Sequence, residues 1–180
     1  MLPQGGLYAY RAASPARRFL RRLAGTAAAS WVLARTGDHI DRLVFRASHG
    51  RQTLLGAVSG LPIVMLSTAG ARSGLTSSVP LVAIPYGEGV GVVASNFGGH
   101  HHPAWYYNLL ACPRAFISVD GVTTAVVARI ASGEERKRLW ELDTLNYPAR
   151  RLYQRRAGNR DIPIFVLAPE PAVDVAAGPV

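Results

Sequence analysis

A small, mainly antiparallel β-barrel with peripheral helices is the fold this sequence predicts, and three observations carry the prediction. Six short β-rich runs lie between residues 62 and 169, the early ones are joined by turns, and the helical stretches are inserted between strands instead of alternating with them. Strict alternation of strand and helix would have indicated a doubly wound α/β sheet, whereas this order indicates an α+β barrel. The chain of 180 residues suits one domain, and 49% apolar against 17% charged residues supply a core. That balance excludes a disordered chain, and the absence of a period-three glycine or sustained heptads excludes collagen and coiled coil.

Residues 1–60 read as a basic helical N-terminal arm, 61–169 as the barrel domain and 170–180 as a disordered tail. The formal net charge is +9, and among the basic residues only Lys137 is lysine. The first 60 residues hold nine arginines against Asp38 and Asp41, so most of the excess sits in the arm. Arginine forks suit phosphate and carboxylate. At about 100° per residue, Phe19, Leu20, Leu23, Ala24, Ala27 and Trp31 fall on one side of a helix and Arg17, Arg18, Arg21 and Arg22 on the other. A helix over residues 15–35 of this kind can lie in an anionic membrane interface, or pack its apolar stripe on the domain. Arg17-Arg18-Phe19 misses a twin-arginine signal by one residue, and no run reaches the roughly 18 apolar residues of a spanning helix. The expected location is cytoplasmic, with peripheral contact to the inner membrane face. A second helix is expected from Asp38 to Ala47.

Pro62 opens the barrel. Ile63 to Thr68 is a buried-type strand, ended by the polar, glycine-containing stretch Ala69 to Gly74. Val79 to Tyr86 and Val90 to Ser95 are β-rich and joined by Gly87-Glu88-Gly89, a hairpin signal. Ala104 to Ala111 reads as a helix stopped by Cys112-Pro113, because proline cannot continue it. Strands follow at Ala115 to Val119 and Thr123 to Ile130. A helix then opens at Ser132, whose hydroxyl can cap the amides ahead, with Glu134 and Glu135 favourable in its first turn; it runs to about Tyr147, where Pro148 marks a break. Asp161-Ile162-Pro163 leads into a last strand, Ile164 to Leu167.

Several chemical signals dissolve on inspection. Gly89-x-Gly91-x-x-Ala94 matches a dinucleotide fingerprint, yet it runs from a turn into a strand where that motif needs a strand before and a helix after. His100, His101 and His102 are consecutive, lack an HExxH or cysteine partner, and read as a polar loop, so no metal site is expected. Cys112, the single cysteine, reads as buried and structural, with no disulfide possible within the chain. Neither a Gly-x-Ser-x-Gly elbow nor a phosphate-binding Gly-x4-Gly-Lys loop occurs. What remains is a turn with Arg72 and Ser73, a polar strand end at Ser95-Asn96, and the loop into a Pro-Ala-Trp-Tyr-Tyr-Asn helix. Arg72, Ser73 and nearby amides can hold an anion, the helix start offers further N–H groups, and Trp105 can cover a flat ligand face. Together these point to an anionic aromatic ligand.

The same residues carry a resemblance. Thr68-Ala-Gly-Ala-Arg-Ser-Gly74, Val79-Pro-Leu81, Val93-Ala-Ser-Asn96, His102-Pro-Ala-Trp-Tyr-Tyr-Asn-Leu109 and Arg160-Asp-Ile-Pro-Ile-Phe-Val-Leu167 occur in order over Pro62 to Pro169. In these motifs, and in the upstream helix before Gly60-Leu-Pro62, the chain resembles the deazaflavin-dependent nitroreductase family, split β-barrel proteins that use coenzyme F420.

The resemblance implies a six-stranded antiparallel split barrel that passes a hydride from reduced deazaflavin to an electron-poor acceptor, a quinone or a nitroaromatic. It implies that Ala71, Arg72 and Ser73 hold the phosphate and oligoglutamate tail, and that Ser77, Ser78, Val79, Pro80, Leu81 and Val82 line one side of the ring. Val93, Ala94, Ser95 and Asn96, with Ala104, Trp105, Tyr106, Tyr107 and Asn108, would complete the pocket, and Arg150 would border it. Tyr147, Tyr153 and Ser95 are the implied catalytic residues, orienting the acceptor or donating a proton. Three departures stand out: Asn96 replaces a frequent lysine, Arg150 stands where some relatives carry a substrate-facing tyrosine, and residues 100–102 are unusually His-rich. FMN is the alternative cofactor, because one fold hosts both, and a non-catalytic deazaflavin-sequestering protein is the alternative function. Nucleic acid is not an expected partner, since the charge sits in one amphipathic segment without RNA-type aromatic motifs. A homodimer fits barrels of this kind.

Overall fold

The computed structural model describes residues 60–170. The arm helix over 15–35, the helix from Asp38 to Ala47 and the tail beyond residue 170 lie outside the described residues. Six strands and three helices follow in the order β1 (Ile63–Ala69), β2 (Thr76–Tyr86), β3 (Gly89–Val93), α1 (Ala104–Ala111), β4 (Arg114–Val119), β5 (Val122–Ile130), α2 (Gly133–Asn146), α3 (Ala149–Ala157) and β6 (Ile164–Pro169). The strands close into an antiparallel barrel in the order β1-β2-β3-β6-β5-β4.

Side-chain alternation decides what lies inside. In β6, Phe165 and Leu167 belong to the barrel interior with Val64, Leu66, Val92, Ile117 and Val126, whereas Ile164 and Val166 join an outer cluster with Leu139 of α2 and Ala157 of α3. Successive residues of a strand point to opposite faces, so β6, covered on both, is an uninterrupted apolar run. Each fully buried aliphatic chain contributes roughly 1.5–3 kcal/mol. Trp105 and Leu109 of α1 are one helical turn apart and both enter the interior cluster.

Register follows from the turns. Tyr86 pairs with Gly89 across a two-residue hairpin, and Val119 pairs with Val122 across Asp120-Gly121, both with positive φ. Glycine is required at Gly89 for a further reason: a Cβ there would stand 2.2 Å from the Leu167 carbonyl oxygen, so β6 can close on β3 only against a glycine. Gly89 and Gly91 both sit within β3, which confirms that the apparent dinucleotide motif opens no helix.

Six local expectations need correction. The strand expected at Val79 begins at Thr76, and the one expected to reach Ser95 ends at Val93 because Asn96 and Phe97 turn into left-handed backbone. Ser132 is the N-cap of α2, but its hydroxyl makes no capping bond; only its carbonyl is engaged, by the Arg136 amide. Cys112 is exposed, not buried; it is the extended residue that caps α1 before Pro113. Beyond Pro148 the chain resumes as α3, unforeseen in a stretch dominated by arginine, with Ala149, Tyr153 and Ala157 buried at i, i+4, i+8 spacing. The last strand also extends through Pro169.

Candidate active site

A cleft of about 340 Å³ opens between β2, the end of β3, the start of α1 and the junction of α2 with α3. This volume is that of a small-molecule site. Strand β2 forms one wall with Ser77, Ser78, Val79, Pro80, Leu81 and Val82; Val93, Ser95, Asn96, Ala104, Trp105, Tyr147, Arg150 and Tyr153 complete it. The structure therefore brings together fourteen of the residues singled out above. Thr68, Phe97, His102 and Pro103 also line it; Thr68, His102 and Pro103 belong to the quoted motifs without having been singled out as site residues, and Phe97 directly follows one.

Ala71, Arg72, Ser73, Ala94, Tyr106, Tyr107 and Asn108 do not line the cleft. Ala94 is fully buried in the barrel interior. Tyr106 stacks on His102 at 4.1 Å and Tyr107 is exposed. Trp105, while at the cleft, is 6% exposed and meets Phe165 edge to face at 5.7 Å, so its ring is largely core and does not stand free to cover a ligand. Asn108 acts as a buried clamp: its Oδ1 accepts from the Ala71 amide at 2.9 Å and its Nδ2 donates to Thr68 Oγ1 at 3.0 Å. It thereby ties α1 to the turn carrying Arg72 and Ser73. The Arg72 side chain is exposed there and has no partner among the described residues.

The deep side of the cleft is polar and buried. Arg150, 7% exposed, donates from Nε to Asp143 Oδ2 at 2.8 Å and from Nη1 to Ser95 Oγ at 2.6 Å, and its guanidinium lies 5.1 Å from the centre of the Tyr147 ring. Asp143 is fully buried, and its Oδ1 has no hydrogen-bond partner among the described residues. Burial pushes the Asp143 carboxyl up from the usual carboxylate range, and the adjoining Arg150 opposes that rise. The Tyr147 and Tyr153 hydroxyls are 2.9 Å apart. Burial, reinforced by Tyr153, raises the Tyr147 phenol far above its ordinary value, so it stays protonated and can only donate or accept a hydrogen bond.

A strained loop holds Ser95 in place. Asn96 and Phe97 have φ of 46° and 53°, values costly outside glycine, and Gly98 follows at 80°. Arg160 braces this loop through Nη2 to the Ser95 carbonyl at 2.7 Å and Nε to the Gly99 carbonyl at 2.8 Å, with Nη1 3.2 Å from His102 Nδ1. Arginine has no acceptor, so His102 Nδ1 accepts and its proton resides on Nε2. Burial, then the Arg160 charge, lowers the His102 pKa, which agrees with a neutral ring. Among the described residues no group of three His, Cys, Asp or Glu side chains is placed to hold a metal ion. The residues do fit a flat heteroaromatic with an anionic tail: an apolar strand wall, a few convergent hydroxyls, and an exposed arginine on the neighbouring turn.

Comparison with known proteins points the same way. Residues 39–169 match the family model described as F420H(2)-dependent quinone reductase. An F420H(2)-dependent quinone reductase of Mycobacterium tuberculosis is 28% identical over 144 residues, covering 76% of this chain and 95% of the relative. Among solved structures, an F420-H2 dependent reductase superposes with a TM-score of 0.54 at 36% identity, covering 59% of this chain and 93% of that one. A domain-swapped dimer superposes at 0.57 with 31% identity, covering 78% and 99%. No described helix is long and apolar enough to cross a membrane.

Proposed function

The chain belongs to the F420H(2)-dependent quinone reductase family, and from that premise we propose that it reduces a quinone in the cleft between β2 and the α2–α3 junction. One observation supports this most directly: the cleft sets the apolar β2 wall opposite a polar group made of Ser95, Arg150, Tyr147 and Tyr153. Coenzyme F420, when bound in its reduced form, supplies the hydride, so the protein need only bind, orient and exclude water.

Val79, Leu81 and Val82 give the ring an apolar face, and Ser77 and Ser78 offer hydroxyls along its edge. Arg72 and Ser73, on the turn fixed by Asn108, hold the anionic tail through charge-assisted bonds. Ser95, Tyr147 and Tyr153 orient the acceptor, and Tyr147, kept protonated by burial, presents a neutral hydroxyl group. Nitroaromatics, also electron-poor and bearing oxygen, are a second acceptor class for the same polar group. The basic amphipathic segment 15–35 would bring the cleft to a lipid-borne quinone at the inner membrane face, and deleting residues 1–36 should then abolish vesicle binding while leaving the fold intact. The domain-swapped neighbour supports a homodimer, which light scattering would reveal.

The experiment is a titration of the purified protein with oxidised F420 and, separately, FMN, followed by mixing the reduced complex with a menaquinone analogue while recording deazaflavin absorbance. Selective micromolar binding of F420 with acceptor-dependent reoxidation is expected. Preference for FMN would overturn the cofactor, and tight F420 binding without reoxidation by any quinone or nitroaromatic would indicate a sequestering protein.

A further inference from the structure

The buried Asp143–Arg150 pair is an expensive arrangement. Replacing such pairs by apolar residues is often neutral or stabilising, and here one carboxylate oxygen, Asp143 Oδ1, is left without a partner among the described residues. What the pair accomplishes is visible at its far end. Asp143 holds the guanidinium through Nε, and Nη1 then meets Ser95 Oγ at 2.6 Å.

Arginine can only donate, so this contact occupies a lone pair of the Ser95 hydroxyl and turns its proton elsewhere. No described protein group accepts that proton, and Ser95, 4% exposed, lines the cleft. The strained Asn96–Phe97 backbone and the Arg160 bond to the Ser95 carbonyl fix the residue from the other side. The result is a hydroxyl with its proton free of any described protein acceptor, polarised by a cation, at a buried position where a hydrogen bond is stronger than in water.

Resting on the reading above, we propose that Asp143 and Arg150 are positioning residues that engage one lone pair of the Ser95 hydroxyl and leave its proton available to the cleft, and so make the site selective for acceptors that present a carbonyl-type oxygen to Ser95. Ser95 touches the acceptor; Arg150 acts through it, and Asp143 through Arg150. Such a site discriminates strongly against an analogue lacking the oxygen, because the Ser95 hydroxyl then loses its only acceptor.

The test compares binding of menadione with that of 2-methylnaphthalene, the same ring system without the two carbonyl oxygens, by calorimetry, with and without saturating oxidised F420, which has no hydride to give. Removing Arg150 alone would strand a buried carboxylate, so the pair is replaced together, Asp143→Leu with Arg150→Met; Ser95→Ala keeps both charges and removes only the hydroxyl. Each is expected to weaken menadione about tenfold while leaving 2-methylnaphthalene within about twofold, and the triple variant should lose no more than either. A menadione preference that survives Ser95→Ala, or losses equal for both ligands, would overturn the proposal, as would additive losses in the triple variant. Failure of the wild-type protein to bind F420 would instead overturn the reductase reading, and the preference measured on the free protein would still decide the role of the pair.

Discussion

The hydroxyls of Tyr147 and Tyr153 share a hydrogen bond of 2.9 Å across the Pro148 break, joining the last residue before the break to the middle of the following helix. Tyr147 stands at φ −131°, ψ 76°, outside the helical region that a following proline disfavours, so α2 ends there and α3 begins anew beyond Pro148.

Removing either hydroxyl should therefore affect the same interaction. Tyr147→Phe and Tyr153→Phe are each expected to lower stability by about 0.5–1.5 kcal/mol, with the double variant costing less than the sum. If the rings also orient the acceptor, KM for the quinone rises while the F420 dissociation constant does not change. Urea unfolding and steady-state kinetics check the two parts, and unchanged turnover in both variants would remove the tyrosines from the mechanism.

Gly98 is where α3 meets the strained loop. Its φ is 80°, and a Cβ there would come within 2.6 Å of the Tyr153 carbonyl oxygen and 2.8 Å of Arg156 Cβ. Backbone cannot yield as a side-chain tip can, so Gly98→Ala should destabilise by about 1–3 kcal/mol. The urea midpoint reports it; Gly74→Ala, also at positive φ but with nothing within 4 Å of the new carbon, should cost less.

Asn108→Ala removes the clamp on the 70–75 turn. A loss of about 1–3 kcal/mol is expected from the buried bonds to Ala71 and Thr68. Because Arg72 rides on that turn, F420 affinity should fall although Asn108 does not line the cleft. Calorimetric titration of folded Asn108→Ala with F420 checks this, and unchanged affinity would separate the turn from the cofactor.

The sign of the His102 effect follows from linkage. Its folded pKa lies below the ordinary imidazole value of 6.5, so the unfolded chain binds more protons as pH falls past that value. The contribution of His102 is thus present above pH 6.5 and lost as pH drops through the folded value. His102→Gln cannot titrate and should flatten the acid slope of the urea midpoint; an unaltered slope would show that the ring charges as freely in the fold as outside it.

The exposed Arg129–Glu135 pair makes a contrast. The Arg129 bond depresses the Glu135 carboxyl, so its contribution is present above the ordinary carboxylate range and lost on acidification. Both side chains reach solvent, and Glu135→Gln should shift neutral-pH stability by less than about 1 kcal/mol. Raising the salt concentration should shrink even that difference, measurable by urea unfolding.

Much of the strand pattern was legible because period and punctuation are local. Ile63–Leu66 and Ile164–Leu167 are apolar runs bounded by proline or glycine, and Gly87-Glu88 marks its hairpin. Helix α3 escaped because its only periodic signal, Ala149, Tyr153 and Ala157, lies among four arginines. Cys112 escaped for a related reason: residue type suggests burial, but the residue's place in the packed fold decides it.

By itself the sequence determined the order of strands and helices, the family-like motifs, and which residue types were available for an anionic aromatic ligand, since these depend on neighbours along the chain. Only the tertiary structure decided how they are used. It moved Asn108 from the wall to a clamp, placed His102 at the cleft with its proton on Nε2, and joined Asp143, Arg150 and Ser95, residues separated by as many as 55 positions, into one chain of hydrogen bonds. Burial and hydrogen-bond direction are properties of packing, and nothing in a linear spacing shows that an arginine donating to a serine leaves its proton available to a cleft.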